Sequence, residues 1–137
     1  MTSSTKHSNT LEIVSQPQSI NIIEKVIDDL KNEYDIHEDS YGNILVAVTE
    51  AVNNAIIHGN GLDPNKQVKV TYEVEGDRIM FTISDSGKGF DYYNLPDPTA
   101  PENLEKLGGR GIFLMKHLSD EVNFTNDGRS VELTFYF

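Results

Sequence analysis

Apolar side chains recur along this chain with two periods. Ile20, Ile23, Val26, Ile27, Leu30 and Tyr34 follow Pro17 and Ser19 at three- and four-residue steps. That spacing predicts an amphipathic helix with acidic and amide residues on its outer face. A second helix is predicted over Tyr41 to His58, with Asp39 and Ser40 as candidate caps and Gly59-Asn60-Gly61 as its stop. Leu45, Val48, Val52, Ala55 and Ile56 make its apolar stripe, and Ala47, Glu50, Asn54 and His58 fall on an adjoining face. A third helix is predicted from Gly111 to Ser119. Elsewhere the period is two: Thr10 to Ser15, Val68 to Val74, Arg78 to Ser84, Val122 to Thr125 and Ser130 to Phe137 read as strands. Glu75-Gly76-Asp77 and Asn126-Asp127-Gly128 are short, turn-forming breaks, so two hairpins are expected.

Strands that pair through hairpins, with helices set between them, predict an α+β fold. The expected architecture is a two-layer sandwich: a mostly antiparallel sheet with helices on one face. Residues 1–9 are small and polar and read as a disordered tail, which leaves 10–137 as one domain. Residues 85–107 are rich in glycine and proline, and a loop of that length inside a domain is usually functional or mobile.

Charge narrows the partners. With 22 acidic and 11 Lys and Arg residues the net charge is −11, and such a surface repels nucleic-acid backbones. An anionic ligand can settle only where helix N-termini, backbone amides, a few cations or a divalent metal reverse the field locally. The chain has no cysteine, which excludes disulfides, thiolate zinc sites and cysteine nucleophiles. The first ten residues lack the apolar core of a secretory signal, and no apolar run approaches bilayer length. A cytoplasmic protein without membrane or nucleic-acid partners is expected.

Three stretches could carry chemistry. Glu50 and Asn54 lie four apart on the second helix, so both project from one face. The Asn54 amide oxygen suits Mg²⁺ and the Glu50 carboxylate suits a base; the plainer reading is a solvated Glu50 and an Asn54 bonded to a neighbouring loop. Asp85-Ser86-Gly87-Lys88-Gly89-Phe90 follows the alternation of Ile79, Phe81 and Ile83. A carboxylate there can accept the exocyclic amine of adenine while the glycines let the backbone pass close to a flat base; alone it would equally be an ordinary Asp-x-Gly turn. Gly108-Gly109-Arg110-Gly111 opens the third helix, where backbone N–H groups favour anions; the alternative is a hinge. Its spacing matches neither a Walker A loop nor a dinucleotide fingerprint.

In that order the three stretches resemble the boxes of the GHKL ATP-binding fold, shared by gyrase B, Hsp90, MutL and histidine kinases. Glu50-x-x-x-Asn54-Ala55 resembles the N box, Asp85-x-Gly87-x-Gly89-Phe90 the G1 box and Gly109-Arg110-Gly111 the G2 box. TEAVNNAIIHGN, DSGKGFD, LPDPTAPENL and GGRGIFLMKHLSDEVNF further resemble the small bacterial anti-sigma factor serine kinases. The resemblance implies an ATP- and Mg²⁺-dependent serine kinase that phosphorylates an anti-sigma factor antagonist, and also implies a homodimer. It implies Glu50 as general base, Asn54 as Mg²⁺ ligand, Asp85 as adenine reader, and Gly87 and Gly89 as its close-packed neighbours. Gly109, Arg110 and Gly111 would belong to a lid over the phosphates, and Ser130 would stand near the adenine.

The predicted first helix contains no arginine, although members of that family commonly use basic residues there to hold a sigma factor. His37-Glu38-Asp39-Ser40 superficially resembles a histidine-kinase phosphoacceptor but lacks the basic residue and proline that follow one. His7, His37, His58 and His117 show no metal-ligand spacing; His58 is expected near a helix end and His117 on a helix surface. Tyr92 and Tyr93 are expected to pack the long loop against the domain. The rival to a kinase is a non-catalytic module that grips a partner in a nucleotide-dependent manner.

Overall fold

The period-two segments pair edge to edge, and each pair is antiparallel. The computed structural model describes residues 6–87 and 109–137. Among them the elements run β1 (Lys6–Val14), α1 (Ile20–Tyr34), α2 (Glu38–Asn54), β2 (Gln67–Glu75), β3 (Arg78–Ser84), α3 (Gly109–Leu118), β4 (Glu121–Thr125) and β5 (Ser130–Tyr136). The sheet order is β1-β2-β3-β5-β4, with β5 inserted between β3 and β4 after the chain has crossed through α3. Gly76, at φ +62°, lets the β2–β3 hairpin close in two residues between the Glu75–Arg78 pair.

Register sorts the side chains onto two faces. One row across the sheet reads Leu11, Val70, Ile83, Val131, Phe124, and its neighbour on the other face reads Thr10, Thr71, Thr82, Glu132, Asn123. The apolar rows meet the helices, and the polar rows form the outer face. This is the expected two-layer α+β sandwich. Its centre is β3, whose Ile79, Phe81 and Ile83 are at most 1% exposed.

Three local expectations shift. β1 begins at Lys6 rather than Thr10, so residues 6–9 of the expected tail belong to the strand; as an edge strand it needs few apolar residues, and Ser8 and Asn9 pair with Glu73 and Tyr72. The cap of α2 is His37, not Asp39 or Ser40. His37 is extended (φ −60°, ψ 148°) and its Nδ1 accepts the Asp39 N–H at 3.1 Å, whereas Asp39 and Ser40 are already helical. The buried side of α2 is Ile44, Ala47, Val48, Ala51 and Val52, with Leu45 only half-buried. A helix packed between α1, α3 and the sheet needs small residues where it lies closest, and Ala47 is wholly buried.

Past Asn54 the helix widens. Residues Ala55–Gly59 form a π turn, closed where the Asn60 N–H reaches the Ala55 carbonyl at 2.8 Å. Such turns redirect the chain at the end of a helix and are frequent at functional sites. No helix of the described residues is long and apolar enough to cross a membrane.

Phe81 sits at the middle of the central strand, edge-on to Phe135 with ring centroids 6.4 Å apart. Phe81→Ala should cost about 3–5 kcal/mol in urea unfolding, whereas a loss under about 1 kcal/mol would contradict a core centred on β3.

Candidate functional site

A cleft with about 580 Å³ of empty space, part of it open solvent, lies between α2, β3, α3 and β5. Ile83, Ile112, Met115 and Val131 give it apolar walls, and Asn54, Asp85, Arg129 and Ser130 add a few polar groups. The strand and helix periods therefore converge on one concave surface, and of the candidate residues Asn54, Asp85 and Ser130 line it.

Asp85 follows β3 directly. Its N–H donates to the Arg129 carbonyl at 2.9 Å, which extends the β3–β5 pairing by one residue, and its Oδ1 accepts the Gly87 N–H at 2.8 Å. Two glycines make room for it: a Cβ on Gly59 would collide with the Asp85 carboxylate, and one on Gly87 would collide with the Gly59 carbonyl oxygen. Half-burial pushes the Asp85 pKa above its ordinary value. The Gly87 N–H, and the charges of Arg129 and Lys66, oppose that rise without cancelling it.

Glu50 and Asn54 occupy one face of α2, as their spacing requires, and both are partly buried. Gly111, in the first turn of α3, lies on top of them. The position of a Cβ on Gly111 would be 3.1 Å from Glu50 Oε2, 3.1 Å from Asn54 Nδ2 and 3.3 Å from Asn54 Oδ1. A side chain at this position would be a tight fit, and Glu50 or Asn54 would have to give by a few tenths of an ångström. Gly109 and Arg110 form the beginning of the same turn, two residues earlier than the sequence pattern places the helix.

Ser130 opens β5 and is almost fully buried; its Oγ shares a hydrogen bond with Ser84 Oγ at 2.8 Å and accepts from Asn126 Nδ2 at 3.1 Å. His58 is exposed on the cleft's lining, and His117 is exposed on α3, stacked on Phe113 at 5.7 Å. Gly89, Phe90, the long loop with Tyr92 and Tyr93, and Gly108 lie outside the described residues.

Two residues escape the sequence pattern. Asn60, read there only as part of a helix stop, is a buried hub. Its Nδ2 donates to Ser15 Oγ at 2.9 Å and to the Gln67 carbonyl at 3.2 Å, and its Oδ1 accepts the Ser86 N–H at 2.8 Å. An amide flanked by two glycines after a helix was the available signal. Arg129 reaches the cleft through the pairing of β5 with β3, and its position beside Ser130 was the only hint.

These donors fit an adenine nucleotide and a hard divalent cation. Asp85 is an acceptor lining a largely apolar cleft, and Asn54 and Glu50 offer oxygen donors of the type Mg²⁺ prefers.

Comparison with known proteins follows the same line. Residues 13–135 match the histidine kinase-like ATPase domain family. The chain is 29% identical over 133 residues to the serine-protein kinase RsbW of Bacillus subtilis, covering 92% of this chain and 83% of that protein. It is 39% identical over 101 residues to the anti-sigma F factor of Anoxybacillus flavithermus, covering 69% of this chain and 68% of that one. It is also similar in fold to the crystal structure of the RsbU and RsbW domains of Rv1364c from Mycobacterium tuberculosis. There the TM-score is 0.67 at 13% identity, over 95% of this chain and 32% of that longer one.

The geometry at Asp85 sets function against stability. Its folded pKa is raised, so the stability that goes with its protonated form is present below the unfolded pKa and lost as pH rises through the folded value. Asp85→Asn keeps an oxygen for the Gly87 N–H and removes the half-buried charge. Its Tm at about pH 7 should equal or exceed the parent's, with any advantage vanishing toward about pH 3–4, where the parent's carboxyl is neutral. A parent more stable than the variant at neutral pH would contradict this. Gly59→Ala should instead cost about 1–3 kcal/mol by forcing Asp85 aside.

Proposed function

Because this chain belongs to the histidine kinase-like ATPase domain family, we propose that it is an ATP-dependent serine-protein kinase acting as an anti-sigma factor, and that it phosphorylates a serine of an antagonist partner. The observation that carries the reading is the seat under Gly111, where one carboxylate and one amide face the same helix start. A nucleotide reader needs no second carboxylate near its phosphates; a kinase needs a proton acceptor there.

Each residue then has a task. Asp85 accepts a hydrogen bond from the adenine amine, and Gly59, Gly87 and Gly89 keep the base edge clear. Ser130 fixes the polar rim beside it. The first-turn backbone of α3, from Gly109 through Arg110 to Gly111, directs N–H groups and a helix's positive end at the phosphates. Asn54, through its amide oxygen, would hold Mg²⁺, which when bound neutralises phosphate charge. Glu50 takes the proton of the partner's serine hydroxyl as that oxygen bonds to the γ-phosphorus and the bond to ADP breaks. The protein would work in the cytoplasm as a homodimer, and the anti-sigma role would extend to a bound sigma factor.

Two variants separate the tasks. Asn54→Ala should weaken Mg·ATP binding itself, because this acidic protein cannot otherwise tolerate the phosphates. Glu50→Ala should leave ATP affinity unchanged or slightly tighter, while single-turnover transfer to a serine-bearing antagonist falls by about 10²–10⁴-fold. Transfer at the parent rate in Glu50→Ala would remove it as the base. A parent that transfers nothing, yet holds its partner only with ATP bound, would mark a binding module instead.

A further inference from the structure

Arg129 brings the only permanent positive charge among the described residues that line the cleft, and no task above uses it. The register of β3 and β5 sets where it stands. Ile83 and Val131 are partners across the two strands, and both line the cleft. Ser84 and Ser130, the next pair, turn their side chains the other way, as successive residues of a strand do. Their hydroxyls meet at 2.8 Å, and Ser130 Oγ also accepts from Asn126 Nδ2 at 3.1 Å. Ser130 thus holds the rim with its hydroxyl already engaged on the side away from the cleft.

One position further, Asp85 and Arg129 return to the cleft side. The Asp85 N–H donates to the Arg129 carbonyl at 2.9 Å, and both residues line the cleft. The Arg129 backbone is also held from the turn before it, where its N–H donates to the Asn126 carbonyl at 3.1 Å. The guanidinium itself is only loosely occupied. Among the described residues its ion pair is with Asp127 at 3.7 Å, the two side chains being 39% and 89% exposed, and such pairs contribute little.

We propose that Arg129 is a second base-reading residue: its guanidinium donates to a ring nitrogen flanking the adenine amine, while Asp85 accepts from the amine itself. This rests on the assignment of Asp85 to the base. The amine of adenine lies between two ring nitrogens, N1 and N7, and both are acceptors. A carboxylate alone satisfies the amine and leaves the neighbouring lone pair without a donor, which weakens binding in a largely apolar cleft. An acceptor and a donor side by side, at the adjoining ends of two paired strands, complement both atoms. A guanidinium suits the second place because it has five N–H donors, no acceptor, and a charge that no working pH removes.

The test is calorimetric titration of Mg·ATP against three analogues: one with C–H at N1, one with C–H at N7, and one lacking the amine. The proteins are the parent, Arg129→Leu and Arg129→Lys, each with its Tm measured. The parent should bind one of the two ring analogues about tenfold more weakly than ATP, which identifies the nitrogen. Arg129→Leu should bind that analogue and ATP alike, and Arg129→Lys should keep part of the difference. A parent that binds both ring analogues as tightly as ATP would overturn the proposal, as would an Arg129→Leu that discriminates like the parent. A contact to phosphate instead of base would show as equal weakening of ATP and both ring analogues in Arg129→Leu, with adenosine unaffected, and would also overturn it. These failures leave Asp85 as the amine reader. If the parent binds the analogue without the amine as tightly as ATP, the Asp85 assignment falls, and this inference with it.

Discussion

Asn60 is 3% exposed, and its amide meets three separate pieces of backbone or side chain. One N–H reaches Ser15 just past β1, another the Gln67 carbonyl at the start of β2, and the oxygen takes the N–H of Ser86 just past β3. Ser15 Oγ in turn donates to the Lys66 carbonyl at 2.6 Å. Buried polar groups of this kind cost about 1–3 kcal/mol each when left without partners. The network thus forces the ends of three strands to meet where α2 stops. Asp85 stands one residue from its last bond, so the position of the carboxylate depends on an amide that does not line the cleft.

The π turn and the glycines serve that same constraint. Widening the last turn of α2 brings Gly59 against Asp85 and delivers Asn60 to the strand ends. The half-burial that results is what raises the cost of the Asp85 charge. A carboxylate beside apolar walls in a protein of net charge −11 is stabilised locally by the Gly87 N–H, Arg129 and Lys66. At the Glu50–Asn54 seat the arrangement is different: two side chains on one helix face are covered by the backbone of another helix, through the absence of a side chain at Gly111.

Much of this was legible in the chain because it is local. The period-two runs around Gly76 and Gly128, the four-residue step from Glu50 to Asn54 and the Asp-x-Gly after β3 each report their own geometry, and the order of the boxes pointed to the fold. What was missed depends on contacts between distant segments. The Arg129 carbonyl meets the Asp85 N–H only because β5 inserts beside β3, and Asn60 becomes a hub only when Ser15, Gln67 and Ser86 arrive around it. The His37 cap was hidden because Asp39 and Ser40 are better cap formers by type, although both fall inside the helix. The early start of β1 was hidden because an edge strand can be built from polar residues such as Ser8 and Asn9.

The frame around Asn60 positions, from outside the cleft, the Asp85 carboxylate that is proposed to read the nucleotide. The most direct measurement is ATP affinity of folded Asn60→Ala, titrated well below its melting temperature, beside its stability in urea. The expected result is a loss of roughly 1–3 kcal/mol in stability together with at least a tenfold weaker ATP affinity, because the strand exit carrying Asp85 is released. An ATP affinity equal to the parent's in the folded variant would contradict the account.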